Sequence, residues 1–339
     1  MTVKPVNLAL QGGGAHGAFT WGVLDALLED GRLEIAAITG TSAGALNGAA
    51  LKAGLIAGGA EAARENLDWL WAQVGAVTHN ALAAWFDAAA PAAPVLAKAL
   101  EYSPAYMALD MLGRMSTPYA YGPMVENPLR RIVERFDFDR VCREEGPEFF
   151  VGATNVRTGK ARVFRGDEIT VEAILASACL PTLFRAVEID GEAYWDGGYT
   201  GNPALWPLYE PRFPDDVLIV NINPIRRDDV PKDPQAIQNR INEISFNASL
   251  LRDLRAIDFV KRLIASGRIE PGVMKDIRVH MIADDALMNT LSVATKLVPN
   301  PVVLARLKQA GRTAAQEFMS RHFDSIGAQA TVDLRAMFG

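Results

Sequence analysis

One short stretch, Gly40-Thr41-Ser42-Ala43-Gly44, most constrains how this chain can fold. It follows the apolar run 35–38 and precedes a helix-forming run, 45–52. A serine between two glycines at a strand-to-helix junction is typical of a nucleophile elbow, because the turn is too sharp for Cβ atoms on either side. The helix amino end also favours negative charge that develops on the serine or on an attacked carbonyl. We therefore predict that Ser42 is a nucleophile. The alternative is a glycine-rich turn in which Ser42 only caps the helix.

Length and composition narrow the class of protein. The 339 residues suggest two domains, or one large α/β unit with an extension. A net charge of −6 and the lack of a long basic block argue against nucleic acid as a partner. The two cysteines, Cys142 and Cys179, suit a reduced compartment. The amino terminus shows no signal-peptide pattern, and the least polar window, 35–51, contains too many polar residues for a bilayer span. We expect a soluble, cytoplasmic protein.

The first fifty residues predict a βαβα unit of a parallel sheet. A short strand, 6–10, is followed by the glycine loop 12–17, a helix over 18–29 and a second strand, 34–39, that leads into the serine turn.

The glycine loop has two competing interpretations. Gly12, Gly14 and Gly17 satisfy the Gly-x-Gly-x-x-Gly pattern of a dinucleotide site, in the strand-to-helix context that such a site requires. A dinucleotide site also has an acidic residue at the end of the second strand, where this chain has Gly40-Thr41-Ser42 instead. A loop of bare N–H groups beside an exposed serine fits an oxyanion hole better. Dinucleotide binding remains an alternative.

The rest of the chain reads as further α/β elements. A helix is predicted over 61–74. Segment 76–121 is rich in Ala, Pro, Met and aromatic residues, and is either a lid over an apolar channel or a helical insertion that packs on the main domain. Other predicted helices are 128–136, 171–178, 234–264 and 301–323. Predicted strands are 148–154, 160–165, 187–189, 192–195, 217–222 and 277–282, with an Asp-Gly turn at 190–191.

An acidic residue and two glycines, Asp196-Gly197-Gly198, end the predicted hairpin. This pattern places a carboxylate at a strand end, where α/β proteins collect their functional residues. The alternative is a turn aspartate that bonds its own backbone.

The ordered set Gly12-Gly13-Gly14, Gly40-Thr41-Ser42-Ala43-Gly44, Ala176-Ser177-Ala178-Cys179-Leu180-Pro181 and Asp196-Gly197-Gly198 resembles the patatin-like phospholipase family, over roughly residues 6 to 225. The resemblance implies a three-layer α/β/α fold with a mostly parallel sheet, a helical insertion and a helical carboxy-terminal extension. The corresponding domains are 1–225, catalytic, and 226–339, an extension packed on it.

The resemblance also implies a serine–aspartate dyad, with Ser42 as nucleophile, Asp196 as base, and the N–H groups of Gly13 and Gly14 as the oxyanion hole. The supporting loop and elbow residues are then Gly12, Ala15, His16, Gly17, Gly40, Ala43, Gly44, Gly197 and Gly198. Implied substrates are acyl esters of phospholipids and other lipids, reached by transient contact with a membrane surface. We expect no cofactor and no metal ion. An aspartate has a reference pKa of about 3.9, so burial would have to raise it, or the helix dipole would have to acidify Ser42.

His16 departs from the family pattern, in which arginine or lysine is common at this place. We expect a conditional positive charge there, because histidine is only partly protonated near neutral pH. Alternatively, His16 only packs in the loop. Three further alternatives stay open: a Ser42–Asp196–His280 triad in α/β-hydrolase order, in a non-lipid esterase or polyester depolymerase; a binding protein without turnover; and the dinucleotide protein.

Overall fold

The computed structural model of the chain describes residues 2–76, 117–119, 127–232, 234–270, 272–291, 295–296 and 299–338. Its strands are β1 Lys4–Leu10, β2 Leu33–Thr41, β3 Glu148–Asn155, β4 Ala161–Arg165, β5 Val187–Ile189, β6 Glu192–Asp196, β7 Asp216–Val220 and β8 Arg278–Ile282. Its α-helices are α1 Ala18–Asp30, α2 Ala43–Ala76, α3 Arg130–Val133, α4 Phe138–Val141, α5 Val171–Ser177, α6 Pro234–Ala265, α7 Asp285–Asn289, α8 Pro301–His322 and α9 Leu334–Phe338. The segment predicted as a lid or insertion, 76–121, lies outside the described residues except for 76 and 117–119.

A single mixed sheet joins these strands in the order β5-β6-β3-β2-β1-β7-β8, and β4 also pairs with β3. Strands β1, β2, β3, β7 and β8 run parallel. Strands β4 and β6 pair antiparallel with β3, and β5 pairs antiparallel with β6. The prediction of a mostly parallel sheet is confirmed. Because the carboxyl ends of parallel strands share one edge, the residues that follow β1, β2 and β7 are brought together there.

The sheet is buried on both faces, as alternate side chains of its central strands show. In β1, Leu8 and Leu10 belong to a core that includes Val23 of α1. Ala9, which points the other way, belongs to a second core with Leu250 of α6. Helices on both faces of one sheet give three layers, so the predicted α/β/α architecture is confirmed.

Residues 226–339 contribute to the same sheet and core. Strand β8 pairs with β7 along Asp216–Val220. Helix α8 packs along α1, where a side chain at Gly311 would meet the backbone of Phe19. Within the described ranges, no helix is both long enough and apolar enough to cross a bilayer.

Two predicted helices have different limits in the structure. The helix predicted over 61–74 is the second half of α2, which breaks at Gly58 and Gly59, where Gly59 has a φ of 75°. The helix predicted over 128–136 is restricted to α3, Arg130–Val133. It stops early because Asp137 starts a new helix: its carboxylate accepts a hydrogen bond from the Arg140 N–H at 3.2 Å.

Candidate active site

Ser42 is the single residue between the end of β2 at Thr41 and the start of α2 at Ala43. Ser42 has a φ of 55°, in the left-handed region that non-glycine residues rarely adopt. Its carbonyl accepts hydrogen bonds from the N–H groups of Ala45 and Leu46, at 2.9 and 3.1 Å. Such strain is maintained only where the surrounding structure holds it, and it is common at active sites. Ser42 is half-buried and lies at the amino end of α2.

Close backbone approaches explain the glycines on each side of the turn. Gly40 lies in β2, and a Cβ there would sit 2.5 Å from the carbonyl oxygen of Gly44. Gly44 lies beside Ala43 in the first turn of α2, and its own Cβ would meet the backbone carbonyl groups of Leu10 and Gln11. Both glycines allow the first turn of α2 to fold back over the ends of β1 and β2.

Asp196 lies at the end of β6 and is 2% exposed. Its Oδ1 atom accepts a hydrogen bond from the Gly198 N–H at 2.8 Å, in the short 3-10 helix Gly197–Tyr199. Burial raises the pKa of Asp196 to about 7, opposed by hydrogen bonds from the Gly198 N–H and from the Ser42 side chain. The structure thus brings Ser42 and Asp196 into contact. A carboxylate with a pKa near neutrality can accept a proton at physiological pH.

The glycine loop rests directly on the serine turn. A Cβ on Gly12 would lie 2.7 Å from the Cβ of Ser42. The Gly12 N–H donates to Asn202 Oδ1 at 2.7 Å. No hydrogen bond joins the N–H groups of Gly13 or Gly14 to an acceptor within the described ranges. Among the described residues, these two N–H groups thus have no protein acceptor, and they follow Gly12, which contacts the serine turn.

The remaining loop residues, Ala15, His16 and Gly17, are buried in the 3-10 helix Gly14–Gly17. A Cβ on Gly17 would lie 2.6 Å from that of Ala43, and one on Gly13 would lie 2.9 Å from the Ile222 side chain. Protein atoms thus occupy the space on the Cβ side of both glycines, so a larger residue would not fit at either position. Across the described residues, no cluster of His, Cys, Asp and Glu could hold a metal ion.

A buried network of amide side chains fixes the loop, and the sequence analysis did not identify it. Gln11 Oε1 accepts from the backbone N–H groups of Ile222 and Asn223 at 2.9 and 3.1 Å, and Gln11 Nε2 donates to Asn247 Oδ1 at 3.2 Å. Asn223 Nδ2 donates to the Gly12 carbonyl at 2.8 Å, and Asn202 Nδ2 to the same carbonyl at 3.3 Å. The available signal was positional, because Gln11 follows directly on β1 and Asn223 lies three residues after the end of β7, both at the carboxyl edge.

Ser177, which the sequence shows only as part of the Ala176–Pro181 motif, supports the serine turn. Its Oγ atom accepts a hydrogen bond from the Ser42 N–H at 2.9 Å and donates to the Gly152 carbonyl at 2.6 Å. The hydroxyl therefore links the turn to β3. This contact keeps the strained backbone of Ser42 in place.

The surroundings of His16 speak against the expected conditional charge. His16 is 1% exposed, and its Nε2 atom lies 2.8 Å from Thr295 Oγ1. Burial, followed by the charge of Lys296, lowers the pKa of His16 well below its ordinary value. The ring is therefore neutral near pH 7. Its alternative role, packing and bonding within the loop, agrees with these contacts.

The contacts of His280 give no support to the triad alternative. His280 is fully buried in β8, where its Nε2 atom lies 2.9 Å from Asp216 Oδ1 and its Nδ1 atom 3.1 Å from Thr331 Oγ1. Asp216 begins β7, at the amino edge of the parallel strands and away from Ser42. Although burial acts to raise the pKa of Asp216, hydrogen bonds from His280 and Arg278 hold it well below its usual value. His280 thus belongs to a structural cluster.

A family comparison agrees with this arrangement. The profile named patatin-like phospholipase matches residues 8–209. That range is more than half of the 339 residues. The chain belongs to the patatin-like phospholipase family. Membership implies lipid acyl hydrolase activity, and the matched range contains the glycine loop, the serine turn and Asp196.

Among solved structures, this patatin-like chain is similar to VipD from Legionella pneumophila, with 17% identity, a TM-score of 0.40, and coverage of 94% of this chain and 67% of that one. It is also similar to the heterodimeric ExoU–SpcU complex of the type III secretion system of Pseudomonas aeruginosa, with 18% identity, a TM-score of 0.31, and coverage of 99% and 65%. The chain thus spans about two thirds of the length of each matched chain. No curated protein matches the sequence significantly.

Proposed function

We propose that this chain is a lipid acyl hydrolase that cleaves carboxylic esters, with Ser42 as nucleophile and Asp196 as general base. One observation carries the proposal. The side chain of Ser42, on a turn with a φ of 55°, lies against a buried carboxylate whose pKa burial raises to about 7. A hydroxyl activated by an adjacent base is the general arrangement of a serine nucleophile.

The first half-reaction acylates the serine. Ser42 Oγ attacks the ester carbonyl carbon while its proton passes to the Asp196 carboxylate. The carbonyl oxygen becomes an oxyanion, and the N–H groups of Gly13 and Gly14 donate to it. When the carbon–oxygen bond to the leaving alcohol breaks, Asp196 returns its proton to that alcohol. The acyl group is left on Ser42.

The second half-reaction repeats these roles with water. Asp196 takes a proton from a water molecule, whose oxygen attacks the acyl-serine carbonyl. The same N–H groups stabilise the second oxyanion, and Ser42 leaves as the alkoxide that recovers the proton from Asp196. The products are a free carboxylic acid and the starting enzyme.

Two features allow an aspartate to serve here without a histidine. Burial brings the pKa of Asp196 to about 7, so it binds a proton far more readily than an exposed aspartate, with a reference pKa of about 3.9. Ser42 precedes the first residue of α2, and the positive end of a helix stabilises negative charge by about 0.3–1 kcal/mol at an exposed site. The base is thus strengthened while the developing anion is stabilised.

The test combines labelling with hydrolysis. Wild type should react with a fluorophosphonate at Ser42, located by peptide mass spectrometry, and should hydrolyse p-nitrophenyl esters or phospholipid vesicles. Ser42→Ala should abolish both. Ser266→Ala, at an exposed serine just after α6, is the matched control and should retain both.

The substrate panel separates the rival assignments. Phospholipid vesicles, short p-nitrophenyl esters and poly(3-hydroxybutyrate) granules distinguish a lipid hydrolase from a non-lipid esterase and a polyester depolymerase. An unlabelled Ser42 with no hydrolysis of any ester would refute the proposal and favour a binding protein.

A further inference from the structure

We propose that Lys296 is a positioning residue for the hydrolysis proposed above, on which this inference rests. Its ammonium group, held on Asn223, polarises the peptide unit that supplies one oxyanion donor. The inference adds a carboxy-terminal residue to a site otherwise built from residues within 8–209, the range matched by the family profile.

The contacts form one continuous chain of hydrogen bonds. Lys296 Nζ donates to Asn223 Oδ1 at 3.1 Å. The amide nitrogen of the same side chain donates to the Gly12 carbonyl at 2.8 Å. That carbonyl and the Gly13 N–H belong to a single peptide unit, and the N–H is the proposed oxyanion donor. Each donation withdraws electron density from the next group, so the Gly13 N–H becomes a stronger donor.

The backbone beside Lys296 is also fixed against the loop. A Cβ on Gly14 would meet the Lys296 carbonyl group, and Gly14 has a φ of 58°. The preceding residue, Thr295, is 2.8 Å from His16 Nε2 through its hydroxyl. Two adjacent residues thus contact the glycine loop at two points. Lys296 is placed by contacts that do not depend on its own charge.

The charged groups around Lys296 do not cancel the positive charge that its ammonium group places beside Asn223. Glu243, on α6, acts to raise the pKa of Lys296, while Arg227 acts to lower it. The Glu243 carboxylate is already bonded to Arg227, at 2.6 Å, and to Arg240, at 3.3 Å. On the loop side, Lys296 acts on His16, whose pKa is lowered well below its ordinary value so that the ring is neutral near pH 7.

The pH dependence follows from these groups. Burial is the largest cause that lowers the pKa of Lys296, to about 8. A neutral amine would polarise Asn223 much less, so hydrolysis should decrease as the pH rises through about 8. On the acidic side, hydrolysis should decrease as Asp196 is protonated below about 7. The wild type should therefore show a narrow optimum between these values.

The experiment measures kcat and KM by pH-stat titration of the released acid, from pH 5.5 to 9.5, for the full chain. Lys296→Met keeps the length of the side chain and removes the charge. Lys296→Arg keeps the charge at alkaline pH. Lys308→Met is the matched control, because Lys308 lies in the same carboxy-terminal part but contacts Asp68 and Trp21 instead. Circular dichroism and thermal melting verify folding, and Lys296→Gln replaces the Met variant if that one does not fold.

Removal of a direct oxyanion donor costs about 10²–10³-fold in kcat, so a charge two contacts behind the donor should cost about 10-fold. At pH 7.5, Lys296→Met should show that decrease in kcat with little change in KM. It should also lack the alkaline decrease, so that its rate and the wild-type rate converge near pH 9.5. Lys296→Arg should restore the rate and extend it to alkaline pH.

Two results would overturn the inference alone: a wild-type rate in Lys296→Met at pH 7.5, or an alkaline decrease that persists in that variant with the same midpoint. A Lys296→Arg variant that folds but has the same low kcat as Lys296→Met would also overturn it. In that case a positive charge at this position would not restore the rate. A wild type without any Ser42-dependent hydrolysis would instead refute the proposed function, and this inference with it.

Discussion

Replacement of Asp196 by asparagine should make the protein more stable at pH 8, while it removes the proposed base. The carboxylate is 2% exposed, and burial raises its pKa to about 7. In the unfolded chain the same group titrates near 3.9. The folded state therefore binds the proton more tightly than the unfolded state does. The protonated Asp196 therefore contributes to the free energy of unfolding in full below about pH 4. This contribution decreases as the pH rises and is lost once the pH passes about 7.

The size of the effect follows from the two pKa values. Between pH 5 and pH 7 the unfolded chain has already lost the Asp196 proton and the folded chain retains it. Each pH unit in that interval costs about 1.4 kcal/mol, so the wild type loses about 3 kcal/mol through this group. Asparagine does not titrate and can still accept the hydrogen bond from the Gly198 N–H. For a chain of this length, about 3 kcal/mol corresponds to roughly 4 °C in Tm.

The assay is differential scanning calorimetry of wild type and Asp196→Asn at pH 5 and pH 8. At each pH, the Tm of wild type is subtracted from the Tm of the variant. This difference should be roughly 4 °C larger at pH 8 than at pH 5. The subtraction removes the effect on Tm of the other titratable groups, because these are the same in both proteins. Asp228→Asn, at a side chain that is 79% exposed, is the control and should show the same difference at both pH values. An equal difference for Asp196→Asn at both pH values would refute the raised pKa.

Two further substitutions test the spacing of the site and the dyad. Gly12→Ala should lower kcat by about 10²-fold, because its Cβ would lie 2.7 Å from that of Ser42 and displace the oxyanion loop. Gly75→Ala, whose Cβ would lie at an ordinary contact distance of 3.5 Å from Leu304 Cδ1, should retain wild-type kcat, and equal kcat for both would contradict the proposed loop position. His280→Ala should keep kcat within a few-fold yet lower stability by about 2 kcal/mol, measured by urea unfolding, because it removes the buried bond to Asp216. A loss of activity as large as that of Ser42→Ala would restore the triad.

The parts of the fold set by local chemistry could be predicted from the sequence. The hairpin turn at Asp190-Gly191 has positive φ at both residues, 51° and 77°, as the Asp-Gly pair indicates. Alternating or continuous apolar runs located β1, β2, β7 and β8, because such runs must be buried in a sheet. The turn at Ser42 is likewise a local consequence of glycines at its flanks.

The contacts that complete the candidate site could not be predicted in this way. Lys296 lies far along the chain from Gly14, and nothing in its neighbours' periodicity indicates that their backbones meet. The burial of His16 beside Thr295 is equally non-local, and it decides whether the ring is charged. Local patterns therefore predict which residues can react. Long-range packing determines their protonation states and the contacts that hold them in place.

The most direct test of the central claim is the rate at which Ser42 reacts with a fluorophosphonate, measured as a function of pH in wild type and Asp196→Asn. If Asp196 removes the Ser42 proton, the wild-type rate should rise about tenfold per pH unit below pH 7 and stop rising near pH 7, where the pKa of Asp196 lies. Asp196→Asn should react about 10³-fold more slowly, with no inflection near pH 7. A variant that reacts at the wild-type rate, or that keeps the inflection, would contradict the assignment of Asp196 as the base.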